Sequence, residues 1–285
     1  MIRLLLIISY IFFCLLLRVD PRKYFQLNAP YFNERRGIFS KLDMDRLIPN
    51  HWQLEQFLDI GDRYPSEYPV FVKPEWGQNS HGIQRADNAA DLDNIRRNRI
   101  DDKFNYLIQH AAKEKREFEI FIIPSADCFK DSSRLPGIIS ITETINRSND
   151  HYPINGIYNK ATHYEDITAQ FRPEDLQTIW LRFQKVGHFR ISRFGVRAAS
   201  IKHLLAGTFQ IIEINLFLPM PLTLISNNLS QKEKISFCFR CMWQLAKVTK
   251  TIPLEQPHKS VFFKKYKLSR SLKLTTKMRS YDERA

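Results

Sequence analysis

PVFVKPEWGQNSHGI, residues 69–83, is the segment on which the reading of this chain turns. Val70, Phe71 and Val72 are strand formers between Pro69 and Pro74, so YPVFVKP (68–74) reads as a β-strand. The strand delivers Lys73 just ahead of a polar stretch punctuated by Gly77 and Gly82. A lysine placed inward before a loop of small polar residues is a means of holding a polyphosphate. The glycines let backbone N–H groups come close to anionic oxygens. Gln78, Asn79 and Ser80 add side-chain donors. A lysine–proline step followed by a loop is common, so the reading needs partners elsewhere in the chain.

Two further stretches supply them. YLIQHAAKEKREFEIF (106–121) sets a strand, a linker and then Glu117 at the head of another strand. Backbone groups around Gln109, His110, Ala111 and Ala112 suit the edge of an adenine, and the Glu117 carboxylate suits ribose hydroxyls. TFQIIEIN (208–215) ends a β-run on Glu213 and Asn215. Residues two apart on a strand face the same way. A carboxylate and an amide oxygen so placed share one hard cation, and Mg2+ bridging to phosphates is the fitting one. The plainer alternatives are a solvated strand-end acid at Glu117 and an exposed sheet face at Glu213 and Asn215. Glu213, however, is flanked by apolar residues, where a solvated carboxylate needs a reason.

The rest of the chain is globular in composition. Its 285 residues, 44% hydrophobic and 13% aromatic, suffice for a substantial core. The net charge of +13 is uneven: Lys259 to Ala285 carries nine lysines or arginines against two acids. The excess is therefore mostly a tail, solvated or drawn to anionic lipid, and not a stripe interleaved with stacking aromatics. No nucleic-acid partner is expected. Cys238 and Cys241 form a CxxC inside a helical pattern with no second pair, which favours buried structural thiols over a zinc or redox site.

LLLIISYIFFCLLL (4–17) lies between Arg3 and Arg18. It is short for a membrane span, lacks a cleavage site after it, and is followed by a basic flank at Arg18, Arg22 and Lys23. A membrane anchor that leaves the chain on the cytoplasmic side, a cleaved signal and a buried core helix all remain open. Beyond it, Ser40–Leu47 reads as a short helix and RADNAADLDNIRRN as a helix capped by Asp87. REFEIFIIP, GIISITETI, SRFGVRAASI and TFQIIEINL read as strands. Helices begin at Pro173 and Ser230, and LLAG (204–207) reads as a turn. This order is α+β with a mainly antiparallel sheet.

Together, VFVKPEWGQNSHGI, LIQHAAKEKREFEIF and SRFGVRAASIKHLLAGTFQIIEIN resemble, in order and spacing, the ATP-grasp superfamily. They look closest to its D-alanine–D-alanine ligase-like branch of carboxylate–amine ligases. The resemblance covers residues 40–225 or so. It implies an ATP-grasp fold in which two α+β subdomains clasp a nucleotide, here 20–108 with the phosphate lid and 109–250 with the metal site. The apolar segment 1–19 precedes them, in place of the branch's usual N-terminal α/β domain, and the basic tail 251–285 follows.

Carried over by position, Lys73 contacts the α- and β-phosphates. Gly77, Gln78, Asn79, Ser80, His81 and Gly82 form the lid. Gln109–Ala112 line the adenine, and Glu117 binds ribose. Arg193 stabilises the transferred phosphoryl group, Glu213 and Asn215 hold magnesium, and Lys41 is the earlier nucleotide-binding lysine. Arg197, on the strand face of Gly195, is a candidate for a substrate carboxylate, or else a surface ion-pair partner.

The resemblance implies ATP and Mg2+ as cofactors and a small-molecule carboxylate and amine as substrates, joined through an acyl phosphate. One departure stands out: RFGVR places Gly195 where the family has a metal-binding aspartate. That weakens the metal site and keeps a second reading alive, a nucleotide-binding pseudoenzyme with a regulatory or scaffolding role at the membrane. A third is a non-catalytic basic protein that binds lipid or nucleic acid.

Overall fold

The structure, a computed structural model, describes residues 2–77, 80, 82–99, 105–129, 134, 136–148, 150–253 and 256. Gln78, Asn79 and His81 of the expected lid, and the basic tail from 257, lie outside the described residues.

Among the described residues six α-helices and nine strands build the fold: α1 (Ile2–Leu16), α2 (Lys41–Asp45), β1 (Gln56–Leu58), β2 (Val70–Pro74), β3 (Gln84–Ala86), α3 (Ala89–Arg97), β4 (Tyr106–His110), β5 (Arg116–Ile123), β6 (Ile138–Asn146), β7 (Thr162–Asp166), α4 (Pro173–Gln184), β8 (Ser192–Ala198), α5 (Ile201–Ala206), β9 (Gln210–Asn215) and α6 (Gln231–Lys250). The strands make two sheets, ordered β1-β4-β2-β3 and β7-β6-β5-β8-β9. Every pairing is antiparallel. The α+β expectation therefore holds, with two sheets where the sequence reading distinguishes one. A boundary drawn at 108/109 falls within β4.

Capping residues set the helix starts. Ser40 Oγ accepts the N–H of Asp43 at 3.3 Å and opens α2. Asn88, not Asp87, caps α3: its Oδ1 accepts from Asp91 N at 2.9 Å, while Asp87 pairs with Arg85. The stretch expected to turn at LLAG is the helix α5, capped by Ser200 Oγ at His203 N and ended by Gly207 at φ +84°.

Strand alternation divides the packing. On β5, Phe118, Ile120 and Ile122 enter a core with Trp52, Phe183 and Phe194. Phe121 and Ile123 point the other way, into a second core with Tyr10 and Cys14 of α1 and Leu245 of α6. On β2, Val70 and Val72 bury against Leu92 and Ile108 in a third cluster. Phe71 and Lys73 on the other face of β2, and Glu117, Glu119 and Phe121 on β5, line the space between the sheets.

The N-terminal run folds as a helix laid on α6. Tyr10 Oη and Thr249 Oγ1 lie 2.9 Å apart, the Phe13 and Trp243 rings meet edge to face at 5.4 Å, and Cys14 is fully buried. Among the described residues no single helix is long and apolar enough to cross a membrane. One bent pair, Ile2–Leu16 with Pro21–Tyr31, passes by length and composition alone. The four cysteines are free and buried, and Cys238 and Cys241 sit within the α1–α6 core, as the structural reading expects.

Candidate active site

A cavity of ≈ 710 Å³ opens between the two sheets. Register explains what lines it. Across the larger sheet, Glu117 pairs with Arg197, Glu119 with Gly195, and Phe121 with Arg193; on β9, Glu213 pairs with Gly195 and Asn215 with Arg193. All these residues except Gly195 are on the cavity wall. From the smaller sheet come Phe71, Lys73, Gln109 and His110; Lys41 enters from α2, and Ser80 and Ile83 from the lid side.

The cationic groups converge on one end. Lys73 is buried and donates to Gln109 Oε1 at 2.8 Å. Burial, together with the nearby charge of Lys41, pushes its ammonium down to about 7 against the pull of Glu213 and Asp45. Lys41 donates to the carbonyl of Pro74 at 2.6 Å; burial lowers it to about 8, opposed by Glu213 and Glu75. Arg193 Nε lies 3.0 Å from Glu119 Oε2, and its Nη2 lies 3.5 Å from Glu213 Oε1. Asn215 Nδ2 donates to that same Glu213 oxygen at 2.7 Å. Two lysines held in an environment hostile to their charge form a site that polyanionic ligand would relieve.

At the other end, Glu117 is neither solvated nor unpartnered. Its Oε2 accepts from Arg197 at 2.8 and 3.1 Å and from Asn155 Nδ2 at 3.0 Å. Arg197 is buried, which rules out the surface ion pair. It is held by Glu117 across the sheet, so its guanidinium is already engaged. Asn155 also binds the lid: its carbonyl accepts from Ser80 Oγ at 2.5 Å. Gln109 gives its Oε1 to Lys73 and its Nε2 to the carbonyl of Ile212. The N–H groups of His110 and Ala111 bond to Glu55 O and Pro69 O, and among the described residues Ala111 is not part of the cavity wall. Of the described lid residues, Gly82 has φ +74° and lies against Pro74. Ser80 has φ 58°, and Gly77, three residues before it, is half-buried.

No protein-family profile matches this chain, and no curated protein matches it. Solved structures do. VanG D-Ala:D-Ser ligase from Enterococcus faecalis superposes with a TM-score of 0.50 at 15% identity, covering 74% of this chain and 61% of that one. The fold is the ATP-grasp fold. D-alanine–D-alanine ligase from Bacillus anthracis complexed with ATP is also similar, at TM-score 0.46 and 14% identity over 74% of this chain and 67% of that one. So is L-amino acid ligase from Bacillus licheniformis, at TM-score 0.45 and 16% identity over 74% and 47%. The chain spans about three fifths of the length of the VanG ligase.

Within this ATP-grasp fold, two wall residues escape sequence reasoning. Glu119 is buried, and burial pushes its carboxyl up to about 8, against the pull of Arg193. It is visible in REFEIF, but only strand register shows that it faces Gly195 and Glu213. Asn155 lies in a loop with no pattern to mark it.

Gly195 is tightly enclosed. A Cβ there would meet Glu213 Cγ at 2.9 Å, Ile212 Cγ1 at 3.2 Å and Glu119 Oε1 at 3.3 Å. Gly195→Asp thus displaces Glu213 and adds a third carboxylate to two. We expect it to destabilise the metal-free protein by about 1–3 kcal/mol, and magnesium to recover part of the loss. Thermal melts with and without MgCl2 check this; equal losses in both would show that position 195 does not face a cation.

Proposed function

We propose that this chain is an ATP-dependent ligase that activates a carboxylate as an acyl phosphate for attack by an amine. The observation that carries the reading is the convergence of Lys41, Lys73, Arg193, Glu213 and Asn215, from distant parts of the chain, on one cavity in an ATP-grasp fold. In this reading Lys73 and Lys41 neutralise the phosphates, and Ser80 and Gly82 belong to the loop that covers them. Phe71, His110 and Ala112 surround the adenine, with Glu117 at the ribose. A carboxylate oxygen attacks the γ-phosphorus, and the bond to ADP breaks with its electron pair leaving on ADP. Arg193 stabilises the charge on the transferred group. The amine then adds to the acyl carbon, phosphate leaves with the C–O electron pair, and the nitrogen loses a proton. The protein's part is positioning and charge neutralisation. Arg197 acts here through Glu117, as its positioning partner.

Magnesium is implied by the same reading, and the donors fit it. Glu213 and Asn215 offer hard oxygens on one face of β9, with Glu119 adjacent. Magnesium is commonly bound by one or two carboxylates, with water and phosphates completing its shell. When bound it would supply further charge neutralisation at the phosphates. Among the described residues no group of three His, Cys, Asp or Glu could hold a metal ion.

Mg-ATP should raise the thermal midpoint of the full chain. Phosphate release should then depend on a carboxylate and an amine together. Stabilisation without release for any pair would favour the pseudoenzyme, the reading that Gly195 supports. No stabilisation would end both.

We place the protein at the cytoplasmic face of a membrane, resting on it through α1. Leu4, Ile8, Leu15 and Leu16 are 56–65% exposed on that helix, and Arg3, Arg18, Arg22 and Lys23 border it without an acid before Asp20. An apolar stripe with a basic border suits an anionic lipid surface. Ile8→Asp with Leu15→Asp should cut the fraction sedimenting with phosphatidylserine vesicles by about tenfold or more. Equal sedimentation of both proteins would remove the lipid contact.

A further inference from the structure

The cavity is longer than its charged end. Along β5 the wall changes from Glu117 and Glu119 to Phe121; beside it, the chain before Arg193 contributes Ile191. Arg193 Nη1 donates to Met220 O at 3.1 Å and so ties an apolar segment to the phosphoryl-transfer end. That segment, with Phe217 and Leu222, leads to Phe25, whose ring lies 6.5 Å from that of Phe217 and nearly parallel to it. Beyond them Leu6 and Tyr10 of α1 and Met242 and Leu245 of α6, which pack together in the α1–α6 core, close that end of the cavity. The Tyr10 hydroxyl is taken by Thr249. Among the described residues the charged side chains on this arm are Arg3 and Arg22, and Arg22 is held by Asp20 at 2.8 Å in solvent. Ile7 and Ile11 line the arm and are also 58% and 40% exposed, so the arm opens beside the outer face of α1.

We infer that the carboxylate substrate carries a long apolar chain, with its carboxylate at Arg193 and its hydrocarbon running through this arm toward α1. The inference rests on the ligase reading and adds the substrate class: a fatty acid or similar lipid-like carboxylate. A small amino acid would leave the partly exposed apolar residues of the arm, Phe25, Phe217, Leu218 and Met220, in contact with water, whereas a hydrocarbon covers them. The acceptor is an amine, and the chemistry is that of the two transfers above: an acyl phosphate forms at the expense of ATP, and an amide and phosphate follow.

The test uses the full chain, Mg-ATP, and hydroxylamine as the amine, which converts an acyl phosphate to a hydroxamate. Acetate, octanoate, dodecanoate and palmitate are compared below their aggregation limits. Apparent affinity should rise by up to ~4-fold for each methylene buried in the arm, then level off once the chain reaches the mouth at Ile7 and Ile11. Met242→Trp narrows the arm and should bring the levelling-off to a shorter chain while leaving the Mg-ATP thermal shift unchanged. The wild-type profile stands as a test even where that variant does not fold. Nucleotide binding with no dependence on chain length overturns the inference and leaves the ligase reading intact. Absence of a Mg-ATP thermal shift in the wild type removes the ligase reading, and the inference with it.

Discussion

Lys73→Met should lower the affinity for Mg-ATP by roughly a hundredfold or more, the usual scale for deleting one member of a buried charge pair. The same substitution should change how stability depends on pH. Lys73 titrates near 7 in the folded protein against an ordinary 10.5. Its folded value is depressed, so between those limits the unfolded chain holds a proton that the folded chain does not. Stability therefore climbs with pH across that window and is flat below it. Lys41, lowered to about 8, adds a slope of the same sign over a narrower window. The methionine variant loses the Lys73 part. Its midpoint should exceed the wild type's at about pH 6, where the wild type must accommodate a buried ammonium, and the gap should close toward about pH 9. Nucleotide-free melts at a series of pH values check this. Parallel curves would show that Lys73 is charged in the folded protein throughout. Unchanged ATP affinity would remove Lys73 from the phosphates.

Arg197→Ala should cost about 3–5 kcal/mol of stability, because it strips the counter-charge from a buried carboxylate. Glu117 and Arg197 are 6% and 4% exposed and face each other across β5 and β8. With the arginine gone, Asn155 is the one donor to Glu117 Oε2 left among the described residues. The carboxylate is then left buried without a counter-charge. Replacing both partners, Glu117→Gln with Arg197→Met, removes the two desolvated charges together and should recover most of the loss. Urea unfolding of the single and double variants decides it. A loss under about 1 kcal/mol for the single variant, or no recovery in the double, would mean that the pair is hydrated in solution.

Those two residues mark the limit of what the sequence discloses. Glu213 and Asn215 are legible as a pair because two residues apart on a strand is a local relation. The Glu117–Arg197 pair is not, since it depends on β5 and β8 being neighbours in one particular register. Glu119 is hidden for the same reason. The long strands are legible from their β-branched and aromatic runs between breakers. β3, with only Gln84, Arg85 and Ala86, and β7, THYED, carry no such pattern, and their partners β2 and β6 hold them in place. Ser200 does signal a helix start three residues before His203, but Gly207 alone reads as a turn. The apolar run at 4–17 has the composition of several different things, and only the face it presents to α6 shows that half of it is core.

Lys73 has a second employment, between the sheets. Its ammonium reaches Gln109 on its own sheet and, at 3.5 Å, the carbonyl of Ile212 on the other, to which Gln109 Nε2 also donates at 3.4 Å. These bonds are a latch between two jaws, and the ammonium is the part of it that a triphosphate would claim. Loading the cleft and easing the latch are then a single event. The protein would change its grip at the moment it acquires something to hold.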